Sequence, residues 1–126
     1  MQPPLPKGLI DKETAKAMEK LYVDNQYAII NRYRQSHGDD EPDSRETIFS
    51  LEEIENYIAY VKEASNALGL RDLGIRIYQG AKSADEKVFT TVFFAPTNEG
   101  NNSMEIQCLN LGSYGRPPTV YDNGNK

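Results

Sequence analysis

The sequence is poor in the residues that carry most protein chemistry. Its 126 residues hold one cysteine, one histidine and no tryptophan. A single cysteine excludes an internal disulfide, so nothing argues for an oxidising compartment. No apolar run approaches the ~18 residues of a membrane span, and the N-terminus lacks the basic and apolar segments of a signal peptide. These absences predict a cytoplasmic protein that does not enter a membrane.

The charge balance disfavours a further class of partner. Acidic residues outnumber basic ones by 19 to 14, which gives a net charge of −5 and a pI of about 4.9. Binding to a DNA or RNA backbone needs concentrated Lys and Arg. An acidic surface instead favours solubility or association with a basic protein, so we predict no nucleic-acid partner.

The lone thiol and the lone imidazole do not form a recognisable nucleophilic pair. Cys108 continues the apolar alternation of Met104 and Ile106, and free cysteine is often buried, so we predict a buried filler. His37 falls in a polar segment that we predict to be an exposed loop. A Cys–His nucleophile needs both groups within hydrogen-bond reach, and these predicted settings do not provide it.

Two further segments are weak candidates for ligand binding. The loop 36–47 holds several carboxylates, but Pro42 interrupts them and the spacing of a calcium-binding loop is absent. We predict a solvated charge run there. The stretch GSYGRPP, 112–118, lacks the Lys-Ser/Thr ending and the following helix of a phosphate loop. The sequence thus predicts no catalytic residue, no metal site and no cofactor, and favours a protein that is not an enzyme.

Helix-start and helix-stop signals predict two helices. Asp11 is a plausible N-cap for a helix over 12–35 that carries two apolar stripes. Ser50 and Glu53 match a capping box, and apolar residues then recur at spacings of three and four up to 68. Gly69 stands where a left-handed C-cap glycine belongs. We therefore place the second helix at 51–68.

Alternating β-favouring residues predict three strands, at 73–79, 88–95 and 104–111, separated by polar loops. The predicted fold is α+β, with two helices followed by and packed on a three-stranded antiparallel sheet, to which the tail can add a fourth strand. We predict an extended N-terminal arm over 1–10, one domain over 11–112, and an irregular Gly/Pro-rich tail over 113–126.

The two faces of this sheet differ in composition when Arg76 lies opposite Thr91 and Phe94 opposite Ile106. The first face is almost wholly apolar and matches the stripe of the second helix, which predicts a conventional core: Leu73, Ile75, Ile77, Val88, Thr90, Val92, Phe94, Met104, Ile106 and Cys108. The second face mixes aromatic and polar residues: Arg76, Tyr78, Phe89, Thr91, Phe93, Ala95, Glu105, Gln107, Leu109 and Leu111.

The second face is too apolar to leave in water, and three covers are open. They are the long first helix, a second copy of the chain, or a ligand or partner protein. We predict that Glu105 lies at an edge position or forms an ion pair with Arg76. Tyr114 and Arg116 in the tail offer a separate docking point for a partner.

We predict a non-enzymatic protein-interaction module that self-associates, as a homodimer, or binds another protein through this second face. Tyr78, Phe89 and Phe93 would anchor the partner, and Arg76 and Glu105 would orient it. The alternative is a small-molecule-binding protein or enzyme with a pocket around Arg76, Tyr78 and Thr91. In that case Arg76 would hold an anionic group, and the two hydroxyls would bind the ligand.

The pattern GIRIYQGA, then TTVFFAPT, then NLGSYGRPP, after a capped helix, resembles a group of small bacterial proteins of uncharacterised function. The resemblance covers roughly 49–118. It implies a shared layout of helix, two strands and Gly-rich ending, and it implies no activity, cofactor or catalytic residue.

Overall fold

Both predicted helices form, and both begin at the predicted caps in the computed structural model, which describes residues 3–110 and 112–122. Asp11 accepts a hydrogen bond from the Thr14 backbone at 2.8 Å and caps α1 (Lys12–Tyr22). A π-helical stretch (Val23–Tyr27) joins α1 to α2 (Ala28–Ser36), so that one 25-residue helix runs from 12 to 36. One apolar stripe, Val23, Tyr27 and Ile30, is buried or half-buried. In the other stripe Ala28 is half-buried, and the remaining members are exposed: Ala17, Met18, Leu21 and Ile29.

Helix α3 (Leu51–Ala67) carries the complete capping box that the sequence predicts. The Ser50 hydroxyl accepts from the Glu53 backbone at 3.0 Å, and the Glu53 carboxylate accepts from the Ser50 backbone at 3.0 Å. At the other end Gly69 adopts φ 72°, the left-handed conformation expected after a helix. These local signals fix both ends of α3.

The main sheet is antiparallel and has the order β2 (Leu73–Ala84), β3 (Lys87–Asn98), β4 (Asn101–Asn102). A second, two-stranded sheet pairs β1 (Thr47–Ile48) with β5 (Ser113–Tyr114). The tail therefore does contribute a strand, although to a separate sheet. The fold is α+β, as predicted.

The hairpin of β2 and β3 is longer than predicted, because its turn is shorter. We predicted a loop over 80–87, but β2 and β3 pair continuously from Leu73 with Asn98 to Ala84 with Lys87. Asp85 and Glu86 form the turn with φ of 54° and 63°. Two positive φ values in a two-residue turn match the geometry that suits a twisted hairpin.

The predicted third strand, 104–111, is wrong for its described residues. Ile106 donates to the Ser103 carbonyl in a turn, and the segment returns to β3 only at an isolated bridge between Phe94 and Leu109. The Tyr57 hydroxyl donates to the Gln107 carbonyl at 2.7 Å, and the Tyr60 hydroxyl accepts from the Gln107 backbone at 3.2 Å. Side chains of α3 therefore occupy backbone groups that a strand would offer to its neighbour.

The core joins α3 to this irregular segment and to β3. Tyr57, Val61 and Ile106 are buried together, with Phe94 and Leu109 packed against them. The predicted core extended further, over the whole first face, and that part is wrong. Six of its members are exposed by more than a third: Leu73, Ile75, Ile77, Val88, Met104 and Cys108.

The chain divides into two compact units, Met1–Glu41 with Thr119–Lys126, and Pro42–Pro118. The first contains the long helix and the second contains α3 and both sheets. The predicted domain limits stay a prediction. The predicted tail, 113–126, lies partly outside the described residues, and Leu111 of the second face lies wholly outside them. No helix within the described residues is long and apolar enough to cross a membrane.

Candidate functional site

The strand alternation places the predicted residues of β2 and β3 on one face. Tyr78 lies opposite Phe93, Arg76 opposite Ala95, and Thr91 opposite Gly80. The predicted pairing of Arg76 with Thr91 is wrong by four residues. A shift by an even number keeps every side chain on its face, so the second face retains its predicted members from the two strands.

One end of the second face is covered by the chain's own tail. Phe89 is fully buried, its ring stacks on Tyr114 with centroids 5.5 Å apart, and the Arg116 guanidinium carbon lies 4.6 Å from its centroid. Arg116 also forms an ion pair with Asp85 at 2.9 Å. The predicted docking residues of the tail thus bind Phe89 within the second unit.

A buried polar cluster holds this tail against β3. Asp43 is only 2% exposed, and its carboxylate accepts from the Thr90 backbone at 2.7 Å and from the Thr90 hydroxyl. Ser44 is also buried, and its hydroxyl accepts from the Gly115 backbone at 3.2 Å. The prediction that 36–47 is wholly a solvated charge run is therefore wrong at Asp43 and Ser44, since β3 and the tail supply their partners.

The other end of the second face carries an aromatic pair and a small polar network. Tyr78 and Phe93 stack with centroids 5.2 Å apart and rings inclined by 17°. Arg76 donates to the Asn102 side-chain oxygen at 2.7 Å and to the Gly100 carbonyl at 2.9 Å. Asn102 in turn donates to the Tyr78 hydroxyl at 2.9 Å. Hydrogen bonds from Asn102 and then from Arg76 hold the pKa of the Tyr78 phenol below its usual value.

A cavity of about 260 Å³ opens beside this pair. Tyr78 and Phe93 line it together with Asn102 and several smaller or apolar side chains, among them Met104 and Cys108. Cys108 is exposed, so its predicted burial is wrong, because the strand expected to bury it does not form. Thr91 does not line this cavity; it is buried, and its hydroxyl accepts from Asn110 at 3.3 Å.

A second cavity, of about 420 Å³, lies beside the first and shares Asn102, Ser103 and Met104 with it. Glu105 lines this cavity with Leu68 and Leu70, and it does not lie on the sheet. The predicted ion pair between Glu105 and Arg76 does not form, since Arg76 is bonded to Asn102 and Gly100.

The two outer edges of the hairpin differ in their hydrogen bonding. Along the edge of β3 that faces away from β2, the backbone of alternate residues is hydrogen-bonded to side chains or short segments: Thr90 to Asp43, Val92 to Asn110, Phe94 to Leu109, and Pro96 to Ser103. Within the described residues, by contrast, no strand pairs with the outer edge of β2. The sequence analysis missed Asp43, Asn102 and Asn110, because their contacts are long-range and no local motif marks them.

Comparison with models of known protein families, with curated proteins and with solved structures found no significant match. The resemblance noted in the sequence stays a prediction. Within residues 3–110 and 112–122, no three His, Cys, Asp or Glu side chains are grouped so as to hold a metal ion.

Proposed function

We propose that this protein is a non-enzymatic interaction module that self-associates by pairing the outer edge of β2 with β2 of a second copy. The observation that carries the proposal is an edge strand of 12 residues with exposed apolar side chains, whose outer edge pairs with no other strand within the described residues. Natural sheets protect long edges with Pro, bulges or inward charges. From Leu73 to Ala81, β2 has no Pro, a continuous register and one charge, Arg76.

The hydrogen bonds of β3 show which backbone groups of β2 point to its outer edge. Phe94 exchanges both backbone hydrogen bonds with Leu109, at 2.9 and 3.0 Å, on the side away from β2. Because N–H and C=O groups of successive residues point to alternate sides of a strand, even-numbered β3 residues face away from β2. Their partners in β2 are odd-numbered and face the outer edge: Leu73, Ile75, Ile77, Gln79, Ala81 and Ser83.

Four of these six outward-facing residues are apolar: Leu73, Ile75, Ile77 and Ala81. Ile77 is 59% exposed, and Leu73 and Ile75 are also exposed. An approaching strand would therefore gain a ladder of backbone hydrogen bonds and a row of aliphatic cross-strand contacts on the first face. Edge pairing would use both the free backbone groups and the exposed aliphatic side chains, whereas a contact with the first face alone would use only the side chains.

The sequence of β2 is complementary to itself when two copies pair antiparallel about Ile77. Ile77 then lies opposite Ile77 of the second copy, and Arg76 lies opposite the uncharged ring of Tyr78. Gly74 lies opposite Gly80, so no side chains collide there. In the same register Lys82 lies opposite Asp72, just before β2, on both sides of the two-fold axis. Opposite charges in directly opposed positions favour this register, which supports a second copy as the partner.

This proposal keeps the predicted self-association but moves its surface. Phe89 and Thr91 are buried, so they are not available as anchors. Tyr78 and Phe93 are half-buried and line a cavity. The exposed apolar residues of the hairpin lie on the first face and along its edge.

Light scattering coupled to size-exclusion chromatography, across a dilution series, tests the proposal. We expect a mass of about twice 14.2 kDa at high concentration and a shift towards the monomer on dilution. Ile77→Lys places a charge at the centre of the edge and should give a monomer at every concentration. The matched control is Val88→Lys, because Val88 lies on the same face with a similar exposure of 56% but on β3.

A monomeric wild type at all concentrations would refute self-association. Equal loss of the dimer in both lysine variants would show that the face, and not the edge, is the interface. Lys82→Glu tests the register: it should weaken the dimer, whereas Lys62→Glu on the exposed surface of α3 makes the same change of charge and should not. Equal effects of these two variants would contradict the proposed register.

A further inference from the structure

The cavity beside Tyr78 and Phe93 has the size and lining of a site for a single-ring molecule. Its volume, about 260 Å³, lies just below the ~300 Å³ at which pockets for drug-sized ligands begin. Much of its wall is apolar, with Phe93, Met104 and Ile106 among the lining residues. The stacked pair of Tyr78 and Phe93 contributes aromatic surface. Aromatic surface of this kind favours a flat ring, in offset or edge-to-face contact.

A positive charge without an acidic partner, Arg76, is hydrogen-bonded to Asn102, which lines this cavity. Within the described residues Arg76 forms no ion pair, and its hydrogen-bond partners are neutral groups: the Asn102 side-chain oxygen, the Gly100 carbonyl and the Tyr78 phenol. A guanidinium group has five N–H donors, so two of them remain available. Since Asn102 also lines the cavity, the charge lies close to any molecule bound there.

The Tyr78 hydroxyl offers a second donor. It accepts a hydrogen bond from the Asn102 amide at 2.9 Å, and within residues 3–110 and 112–122 no acceptor binds its own proton. A hydroxyl whose oxygen already accepts a bond is oriented to donate to something else. The lowered pKa of this phenol is consistent with a stronger donor.

We propose that this cavity binds a small aromatic carboxylate, with its ring against Tyr78 and Phe93 and its carboxylate against Arg76 and the Tyr78 hydroxyl. An unneutralised cation and an oriented donor beside an apolar cavity match the two parts of such a molecule. The proposal is independent of edge pairing, so the monomeric Ile77→Lys protein should bind the same ligand.

Benzoate is the probe, and NMR titration of the ¹⁵N-labelled protein is the measurement. We expect shifts centred on Tyr78, Phe93 and Cys108. Benzyl alcohol has the ring without the charge, and acetate has the charge without the ring; each should bind at least about tenfold more weakly than benzoate, because each lacks one set of contacts. Of the three compounds, only benzoate should also slow the modification of Cys108, the single thiol, by iodoacetamide.

Three variants locate the contacts. Tyr78→Phe keeps the ring and should weaken benzoate binding several-fold with little effect on benzyl alcohol. Arg76→Gln should bring benzoate and benzyl alcohol close to the same affinity. Lys82→Gln removes a charge from the same face of β2 away from the cavity and should leave binding unchanged.

Two results would overturn the proposal. The first is the absence of saturable shifts at tens of millimolar benzoate in a protein whose NMR spectrum is that of the folded wild type. The second is benzoate binding that responds equally to Arg76→Gln and Lys82→Gln, because that would indicate a diffuse charge effect and no specific site.

Discussion

Replacing Tyr57 with phenylalanine tests how α3 holds the irregular segment 103–110. The Tyr57 hydroxyl donates to the Gln107 carbonyl at 2.7 Å, and its ring packs near Phe94 with centroids 6.4 Å apart. The side chain is buried. Phenylalanine keeps the ring and the packing, so the change isolates the hydrogen bond.

The loss of stability at neutral pH follows from that bond. A typical intramolecular hydrogen bond contributes about 0.5–1.5 kcal/mol, and a buried group left without its partner costs about 1–3 kcal/mol. We therefore expect Tyr57→Phe to lower the free energy of unfolding by about 1–2 kcal/mol at pH 7.

The same substitution has a distinctive pH dependence. Burial, with a smaller effect of Cys108 and Tyr60, raises the pKa of the Tyr57 phenol to about 12, whereas an unfolded chain has a tyrosine pKa of about 10. The folded state therefore retains this proton longer. Its contribution to stability is complete below pH ~10 and is lost as the pH rises through 12.

Linkage between these two pKa values gives the size of the loss. Wild type should lose about 0.8 kcal/mol from this group at pH 10.5 and about 1.4 kcal/mol at pH 11. Tyr57→Phe has no such proton to lose. The difference in stability between the two proteins should therefore shrink above pH 10 and approach zero near pH 11.

Urea unfolding followed by circular dichroism, from pH 7 to 10.5, measures this difference. Tyrosinate absorbance of the folded protein supplies a second readout, and the transition of Tyr57 near pH 12 should be missing in Tyr57→Phe. Tyr33→Phe is the control, since Tyr33 is exposed and its loss should leave stability unchanged. A constant difference between wild type and Tyr57→Phe over this pH range would refute the assignment.

Two further predictions concern the attachment of the tail. Phe89→Ala should cost about 3–5 kcal/mol, because it empties a fully buried aromatic site, whereas Val88→Ala at the exposed neighbour should cost much less; equal losses in urea unfolding would contradict the burial of Phe89. Asp43→Ala should cost about 3 kcal/mol, since the buried backbone and hydroxyl donors of Thr90 lose their acceptor. Asp40→Ala, an exposed acid in the same segment, should be neutral, and a similar loss there would indicate a general charge effect.

Local sequence signals predict the helices well, because their causes are local. The capping box of Ser50 and Glu53 and the left-handed Gly69 both occur as expected. The alternation along β2 and β3 also assigns side chains to the correct faces. The hairpin turn is less visible, since Asp85 and Glu86 adopt positive φ without the Asn-Gly or Asp-Gly pair that marks such turns.

The failures share a physical cause, which is competition from distant groups. Met104, Ile106 and Cys108 alternate like a strand, but side chains of α3 bind the backbone of Gln107. In the sequence Asp43 belongs to a run of charged residues that indicates a solvated loop, but in the structure its carboxylate binds the backbone of Thr90. No local pattern encodes these contacts, so the irregular wall of the cavity was beyond sequence reasoning.

The central claim is that β2 of one copy pairs with β2 of another. Isotope-filtered NMR on a mixture of ¹³C,¹⁵N-labelled and unlabelled protein tests it most directly, because only contacts between copies survive the filter. We expect intermolecular NOEs from the Ile77 methyl groups to Ile77 and Gln79 of the second copy. Intermolecular NOEs confined to the exposed Leu21 and Ile29 side of the long helix, or none at a concentration where the mass is dimeric, would contradict the account.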